Sequence, residues 1–222
     1  MLDSLEFSLY QNEVLGVIGP NGAGKTVMLD ILTGILKPQR GSVIFMGRDI
    51  TRLSITERIR IGLGRTFQIP RPFENMTVAE NILTGCVYGA GLSEKAAKKT
   101  VVQLLELIGL ELKANSFAGE LNLLDRKRLE IGRALATEPK VLMLDEVAGG
   151  LTDSEMDDVF KIINAVRARG TSVIWIEHVL KTMLQGTDRV LCISEGRNII
   201  CGDPLQVLNS QEVAVSYLGS AD

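Results

Sequence analysis

The chain has 222 residues, which is enough for one large domain or for a domain with an inserted subdomain. Hydrophobic residues make up 45% and charged residues 23%, an ordinary globular composition that argues against a fibrous or disordered protein. The formal net charge is −3 and basic residues are dispersed among acidic ones, so we expect no nucleic-acid-binding face.

Three cysteines, Cys86, Cys192 and Cys201, form no Cys-x-x-Cys pair, which favours a reducing, cytosolic setting. No apolar run approaches the ~18–20 residues that a membrane helix needs. The first six residues also contain neither a positive region nor an apolar signal core. We therefore expect a protein that is not exported and that serves a membrane process only by docking.

The first predicted elements flank a glycine-rich loop. The apolar run Val14–Ile18 predicts a buried strand, and the apolar spacing over Val27–Leu36 predicts a helix. Residues 19–26 between them fit the pattern G-x-x-x-x-G-K-[ST], in which main-chain N–H groups surround phosphate oxygens. Lys25 would reach the β- and γ-phosphates, and the Thr26 hydroxyl would ligate Mg²⁺. The alternative, a glycine-rich turn that happens to contain a lysine, is disfavoured by the flanking strand and helix. The residues expected to contact the nucleotide are Gly19, Pro20, Asn21, Gly22, Ala23, Gly24, Lys25 and Thr26.

The next part of the chain predicts short elements. They are a turn at 37–41, a strand at 42–46 that ends at Gly47, a short helix at about 54–61 and a second strand at 62–67. Gln68 follows the second strand, where its amide is a candidate contact for a metal ion or water. Ile69–Phe73 contains two prolines, which remove donors and restrict their neighbours, so this loop is expected to be irregular.

Residues 77 to about 138 have a helical pattern with breaks near 89–91 and at Gly109. Val101, Leu104, Leu105 and Ile108 form an apolar stripe at helical spacing. Strands and helices then alternate again. The predicted strands are 141–144, 172–176, 189–193 and 198–201. The predicted helices are 153–169, between the first two strands, and about 179–186, between the second and the third. Alternation at both ends of the chain implies a mostly parallel sheet with helices on its faces. The helical block is then an inserted subdomain.

Polar residues follow two of the later strands. Asp145 ends the strand 141–144, where it could orient a metal ion, and Glu146 beside it could polarise an attacking water. His178, the only histidine, follows the strand 172–176 at the edge where ligands bind in open α/β sheets. We expect it to contact the γ-phosphate. The alternatives are an acidic pair that only solvates a strand end and a structural histidine.

In this order the motifs resemble those of the nucleotide-binding subunit of an ABC transporter, over essentially all of residues 1–222. The matched elements are the Walker A loop (19–26), the Q-loop (Gln68), a signature region (121–125), Walker B with its glutamate (141–146), the D-loop (150–153) and the switch histidine (His178). Three further stretches resemble, more narrowly, the ATP-binding proteins of branched-chain amino acid and urea or amide importers: 64–68 with 73–78, 124–130 and the ending 217–219.

The resemblance implies an α/β fold of the P-loop NTPase (RecA-like) class. It would have a mostly parallel sheet, a small N-terminal antiparallel β part and an inserted α-helical subdomain. Residues 1–222 would form a single ABC ATPase domain. Its RecA-like and β core would span about 1–76 and 139–203. The helical signature subdomain would span about 77–138, and the C-terminal helical tail about 204–222.

The resemblance also implies an ATP-binding and ATP-hydrolysing importer subunit for branched-chain amino acids or related amides. Two such subunits, identical or different, would form a head-to-tail dimer with ATP and Mg²⁺ between them, at the inner face of the cell membrane. The loop Gln68–Phe73 would contact the transmembrane permease, and a solute-binding protein would be an indirect partner. The implied catalytic residues are Glu146 as the general base, His178 as the γ-phosphate contact, and Gln68. Thr26, Gln68 and Asp145 would contact the metal ion, and Asn122 and Asp153 would bind the nucleotide as contacts across the dimer.

Two features depart from the family pattern. Where the family has Leu-Ser-Gly-Gly-Gln, residues 121–125 read Leu-Asn-Leu-Leu-Asp. Leu123 and Leu124 would obstruct the γ-phosphate unless they turn toward the subdomain core, although Asn122 still offers an amide and Asp125 adds a negative charge. The chain also begins too close to Lys25 to hold the strand whose aromatic residue usually stacks on adenine. We therefore expect weakened ATP contacts. The alternative function is a nucleotide-responsive regulatory subunit that pairs with a competent homologue.

Overall fold

The structure, a computed structural model, describes residues 2–218. Met1 and residues 219–222, which include the end of the predicted C-terminal tail and Gly219 of the ending 217–219, lie outside the described residues. The strands, in chain order, are β1 (Val14–Ile18), β2 (Ile44–Phe45), β3 (Arg48–Asp49), β4 (Leu63–Arg65), β5 (Val141–Asp145), β6 (Ser172–Ile176), β7 (Arg189–Ser194) and β8 (Arg197–Gly202).

Six of these strands form one sheet in the spatial order β4-β5-β6-β1-β7-β8. Every neighbouring pair is parallel except β7 and β8, which form an antiparallel hairpin at one edge. Strands β2 and β3 form a separate antiparallel hairpin. The predicted fold class, a mostly parallel sheet with a small antiparallel part, is therefore confirmed. Residues 2–10 belong to no strand, although Asp3 N–H donates to Gly196 O at 2.9 Å beside β8.

The α-helices are α1 (Lys25–Thr33), α2 (Ile55–Arg60), α3 (Val78–Thr84), α4 (Glu94–Ile108), α5 (Leu123–Leu135), α6 (Asp153–Ala168), α7 (Leu180–Gly186), α8 (Pro204–Leu208) and α9 (Gln211–Leu218). A π-helical turn, Gly85–Gly89, follows α3, and two 3₁₀ turns lie at Glu111–Lys113 and Ala118–Glu120. Several of these helices begin at side-chain caps. Ser54, Thr77 and Thr152 each form a capping box with a glutamate three residues later.

Both faces of the sheet are covered, as expected for buried parallel strands. Alternate residues of β6 serve different cores, because successive side chains of a strand point to opposite faces. Val173 and Trp175 pack in the larger cluster, with helices α3 to α6, whereas Ile174 and Ile176 pack in the smaller one, with Met28 of α1. The sheet is therefore buried between two packed layers, which fix the positions of its strand ends.

The helical block has the predicted apolar stripe. Val101, Leu104, Leu105 and Ile108 of α4 are all buried. Helix α5 packs closely on α4, since a Cβ added at Gly132 would lie 2.6 Å from Ile108 Cδ1. The boundaries assigned from the sequence to the core, the helical subdomain and the tail stay a prediction.

Several element boundaries differ from those predicted, including that of the strand predicted at 62–67, which is only Leu63–Arg65, and two of the differences have a clear physical reason. Helix α1 ends at Thr33 rather than Leu36, because Gly34 adopts a left-handed C-cap conformation with φ 84°. The strand predicted at 42–46 is only Ile44–Phe45, and it turns at Met46 and Gly47 into the unpredicted strand β3. Both turn residues have positive φ, which gives the backbone twist of a two-residue hairpin. Among residues 2–218, no helix combines the length and the apolar character needed to cross a bilayer.

Candidate nucleotide-binding site

The phosphate loop joins β1 to α1 and curves around the ammonium group of Lys25. The Lys25 side chain is buried, and its Nζ donates to Gly19 O at 2.6 Å and to Pro20 O at 3.0 Å. A Cβ added at Gly19 would lie 2.0 Å from Ile193 O on β7, so only glycine lets the loop leave the sheet here. Thr26, in the first turn of α1, is exposed. The predicted contacts Asn21, Gly22, Ala23 and Gly24 lie between Pro20 and α1, so the loop places them at a helix N-terminus, where anions bind.

Asp145 ends β5 next to this loop. Its carboxylate accepts a hydrogen bond from Arg65 Nη2 at 3.0 Å, and Arg65 also pairs with Asp30 of α1 at 2.5 Å. Burial raises the pKa of Asp145, and the Arg65 guanidinium opposes that shift. Burial lowers the pKa of Lys25, and the carboxylates of Glu146 and Asp145 oppose it. The ammonium group and both acidic side chains therefore interact at one edge of the sheet.

The donor set fits a magnesium ion that arrives with a nucleotide. Mg²⁺ is usually held by one or two carboxylates together with substrate phosphates and water. Within residues 2–218 no three His, Cys, Asp or Glu side chains are grouped to hold a metal ion by themselves. Asp145 would supply one carboxylate, and Thr26 and Gln68 would supply neutral oxygens. This donor set suits a phosphate-bound hard cation better than a metal held by protein ligands alone.

The three residues predicted to be catalytic meet at one carboxylate. Gln68 Nε2 donates to Glu146 Oε2 at 2.5 Å, and His178 Nε2 lies 2.6 Å from Glu146 Oε1. Gln68 follows β4, Glu146 follows β5 and His178 follows β6, and these parallel strands are neighbours in the sheet. An open cavity of about 260 Å³ beside His178 is lined by Pro20, Asn21 and Tyr217.

The signature region begins α5 as predicted. Asn122 is the N-cap, and its Oδ1 accepts from Asp125 N at 2.8 Å. Leu124 is half-buried, but Leu123 is 47% exposed and lies beside Gly150, so it does not turn toward the subdomain core. Asp125 is buried and paired with Lys113 and Arg128, which balance its negative charge. The expected repulsion of an anion by Asp125 is therefore reduced.

Two predicted cross-dimer contacts have partners away from the phosphate loop of their own chain. Asn122 caps α5, and Asp153, the first residue of α6, accepts from Lys181 Nζ at 2.6 Å. Both residues are exposed. Tyr10 is the last aromatic residue before the phosphate loop in the sequence, and it is 61% exposed. Its ring packs against the Arg189 guanidinium, whose Cζ lies 4.7 Å from the ring centroid.

Several residues of the site were not predicted as site residues. Arg65 orients Asp145, and the Tyr217 hydroxyl accepts from Gly19 N at 3.0 Å, at the start of the phosphate loop. Lys127 and Glu177 contact the main chain just after Glu146. In the sequence, only their positions beside recognised motifs could have indicated these residues. Arg65 lies in the stretch before Gln68, Glu177 precedes His178, and Tyr217 belongs to the ending 217–219.

Comparisons with known proteins agree with this geometry. A family model described as ABC transporter matches residues 2–149. The branched-chain amino acid transport ATP-binding proteins LivG of Escherichia coli K12 and BraF of Pseudomonas aeruginosa are 35% and 34% identical, over 99% of this chain and 92% of theirs. A lipopolysaccharide export ATP-binding protein, LptB of Haemophilus influenzae, is 30% identical over 99% of this chain and 91% of its own. The solved ADP conformation of MJ1267, an ATP-binding cassette of an ABC transporter, superposes with a TM-score of 0.88 at 33% identity, covering 99% of this chain and 92% of that one. The chain therefore belongs to the ABC transporter family and resembles its ATP-binding subunits.

Proposed function

We propose that the chain binds and hydrolyses ATP as a subunit of an ABC importer, and that it drives uptake of branched-chain amino acids or related amides. The observation that carries this proposal is the Glu146 carboxylate, held by Gln68 and His178 at the sheet edge that also contains Lys25. The similarity to LivG and BraF supports import, and this substrate class, over the export role named for LptB.

Each side chain then has a role that its position supports. Lys25 and the loop N–H groups bind the phosphates, and Thr26, Gln68 and Asp145 would hold Mg²⁺ beside them. Mg²⁺ supplies positive charge that neutralises the phosphate oxygens. The remaining catalytic residues act on the attacking water and the terminal phosphate. Glu146 orients the water and accepts its proton, while His178 contacts the γ-phosphate and fixes the Glu146 carboxylate.

The exposed surface fits two protein partners. Ile69 and Phe73 of the loop after Gln68 are 67% and 48% exposed, and exposed apolar loop residues of this kind favour protein contacts. We assign this loop to a permease at the inner face of the membrane, which would place the chain on the cytoplasmic side. We assign the exposed Asn122 and Asp153 to a second ATP-binding subunit, of the same or another chain.

The test is steady-state ATP hydrolysis by the purified chain, alone and with its permease in lipid vesicles. Glu146→Gln removes the base and should lower kcat by about 100- to 10,000-fold. Lys25→Ala removes charged hydrogen bonds of about 1.5–3 kcal/mol, so the Kd for MgATP should rise about 10- to 150-fold. Glu94→Gln, an exposed substitution on α4, is the control and should change neither.

The substrate class is tested with the same vesicles. Adding the solute-binding protein and labelled leucine, or a labelled amide, should give uptake that requires ATP and is lost in Glu146→Gln. MgATP binding without turnover in either setting would instead support the regulatory alternative. Nothing in the comparisons favours that alternative.

A further inference from the structure

The main chain of Glu146 is in a left-handed conformation, with φ 51°. A residue with a side chain adopts this region at a cost in free energy, and such strain persists only where the surrounding structure enforces it. Glu146 N–H donates to Ile176 O at 3.0 Å, which fixes the start of the turn to β6. The rest of the turn, Val147 and Ala148, is held by two buried charged side chains.

The first of these side chains is Lys127, from helix α5. It is 5% exposed, and its Nζ donates to Val147 O at 2.8 Å and, at 3.4 Å, to Glu146 O. A buried ammonium group is costly unless its donors have partners. Here its partners are the carbonyls of the turn that presents the Glu146 carboxylate.

The second is Glu177, which follows β6 and is 1% exposed. Its Oε1 accepts from Ala148 N at 2.6 Å and from Trp175 Nε1 at 3.1 Å. Burial raises the pKa of Glu177 and lowers that of Lys127, and in each case the charge of the other residue opposes the shift. The cation therefore holds the carbonyls of the turn, and the anion holds its next amide.

We propose that Lys127 and Glu177 are positioning residues, which fix the turn 146–148 from both sides and so aim the Glu146 carboxylate at its water. This proposal rests on the proposed function, because Glu146 needs aiming only if the chain hydrolyses ATP. Lys127 also connects the turn to the signature helix. A contact made by a second subunit at Asn122 would reach Glu146 through about one and a half turns of α5.

The proposal is tested in the full chain by Lys127→Met, which keeps the unbranched apolar stem of the side chain and removes the ammonium group. A misplacement of about 1 Å at a reacting group costs on the order of 100-fold in rate. We therefore expect kcat to fall about 10- to 100-fold, with the Kd for MgATP within about twofold of wild type, since Lys127 does not touch the phosphate loop. Lys127→Arg keeps the positive charge and can donate to both turn carbonyls, so this variant should restore most of the rate. Lys98→Met, on the exposed face of α4, is the matched control.

Glu177→Gln gives a second variant that preserves shape. It should lower kcat without raising the Kd for MgATP, and it should shift the emission of Trp175, the only tryptophan, whose indole N–H contacts Glu177. If Lys127→Met does not fold, this variant carries the test. Wild-type kcat in either folded variant would overturn the proposal.

Amide hydrogen exchange separates this proposal from the proposed function, because it requires no turnover. Removing the Lys127 ammonium should speed exchange of the Ala148 amide about tenfold, since local opening exposes it. If the wild-type chain binds MgATP but never hydrolyses it, the proposed function fails. Unchanged Ala148 exchange in Lys127→Met would overturn the positioning role in either case.

Discussion

A single hydroxyl group from the last described helix contacts the start of the phosphate loop. Tyr217 lies almost 200 positions after Gly19 in the chain, yet its hydroxyl accepts the Gly19 N–H at 3.0 Å. Burial raises the pKa of this hydroxyl, and the Gly19 amide opposes the shift. The contact fixes Gly19, the first residue of the loop, whose own carbonyl accepts from Lys25 Nζ. Loop geometry therefore depends on the docking of α9.

We expect Tyr217→Phe to weaken nucleotide binding without unfolding the protein. Losing one hydrogen bond of about 1 kcal/mol corresponds to a rise of about fivefold in the Kd for MgATP. Titration of a fluorescent ATP analogue measures this change. Tyr88→Phe, at a tyrosine that is 82% exposed, is the control and should bind like wild type. Equal affinity in Tyr217→Phe would show that the loop keeps its shape without the hydroxyl.

At the scale of residues, the sequence predicts side chains whose positions follow from local pattern. Glu146 and His178 follow neighbouring parallel strands, and Lys25 follows β1 through the phosphate loop, so strand pairing and the loop motif together were sufficient to bring them to one edge. Lys127 and Glu177 are different, because their role depends on which main-chain groups they contact. Those contacts depend on how α5 packs on the sheet, and no local spacing encodes it.

At the scale of elements, the start of α5 keeps the helix N-terminus of a signature region while lacking its glycines. Asn122 satisfies the Asp125 N–H, and Lys113 and Arg128 neutralise the Asp125 carboxylate. In any α-helix the first N–H groups lack partners within the helix and lie at the positive end of its dipole, and in α5 this end carries the exposed Leu123. The altered sequence thus preserves a helix N-terminus that can receive an anion.

Asn122→Ala should destabilise this helix start. Loss of an N-cap costs about 1 kcal/mol, which lowers Tm by roughly 2–4 °C in a domain of this size. Thermal unfolding followed by circular dichroism measures the difference. Asn122→Ser should retain wild-type Tm, because serine caps as well as asparagine. An alanine variant as stable as wild type would mean that Asp125 N–H finds water at no cost.

Element boundaries were predicted less well than element order. The end of α1 depends on the left-handed conformation of Gly34 within a longer apolar pattern, and Ile35 and Leu36 are exposed beyond it. Strand β3, Arg48–Asp49, is short and polar, so no alternation marks it. Its pairing with β2 comes from the Met46–Gly47 turn, whose left-handed conformation is atypical for methionine.

At the scale of the whole molecule, the exposed predicted residues form a connected surface. Leu123 lies beside Gly150, and Asp153 pairs with Lys181, three residues after His178. The same surface reaches Glu146 through His178. A second subunit that contacts this surface would meet the signature helix, the D-loop and the hydrolytic residues together. Closure should then depend on which nucleotide is bound, because a ligand shifts an equilibrium only by its differential affinity for the two states.

We therefore expect Glu146→Gln to dimerise in MgATP and to remain monomeric in MgADP, since it binds ATP but cannot remove the γ-phosphate. Sedimentation velocity measures the mass of each state. Adding Asp153→Ala to this variant should weaken the ATP-bound dimer, whereas adding Lys98→Met, on exposed α4, should not. If the chain instead pairs with a different ATP-binding subunit, Glu146→Gln stays monomeric alone and dimerises only when that subunit is present. A monomer under every one of these conditions would contradict the shared-site arrangement, because Asn122 and Asp153 would then have no nucleotide to contact.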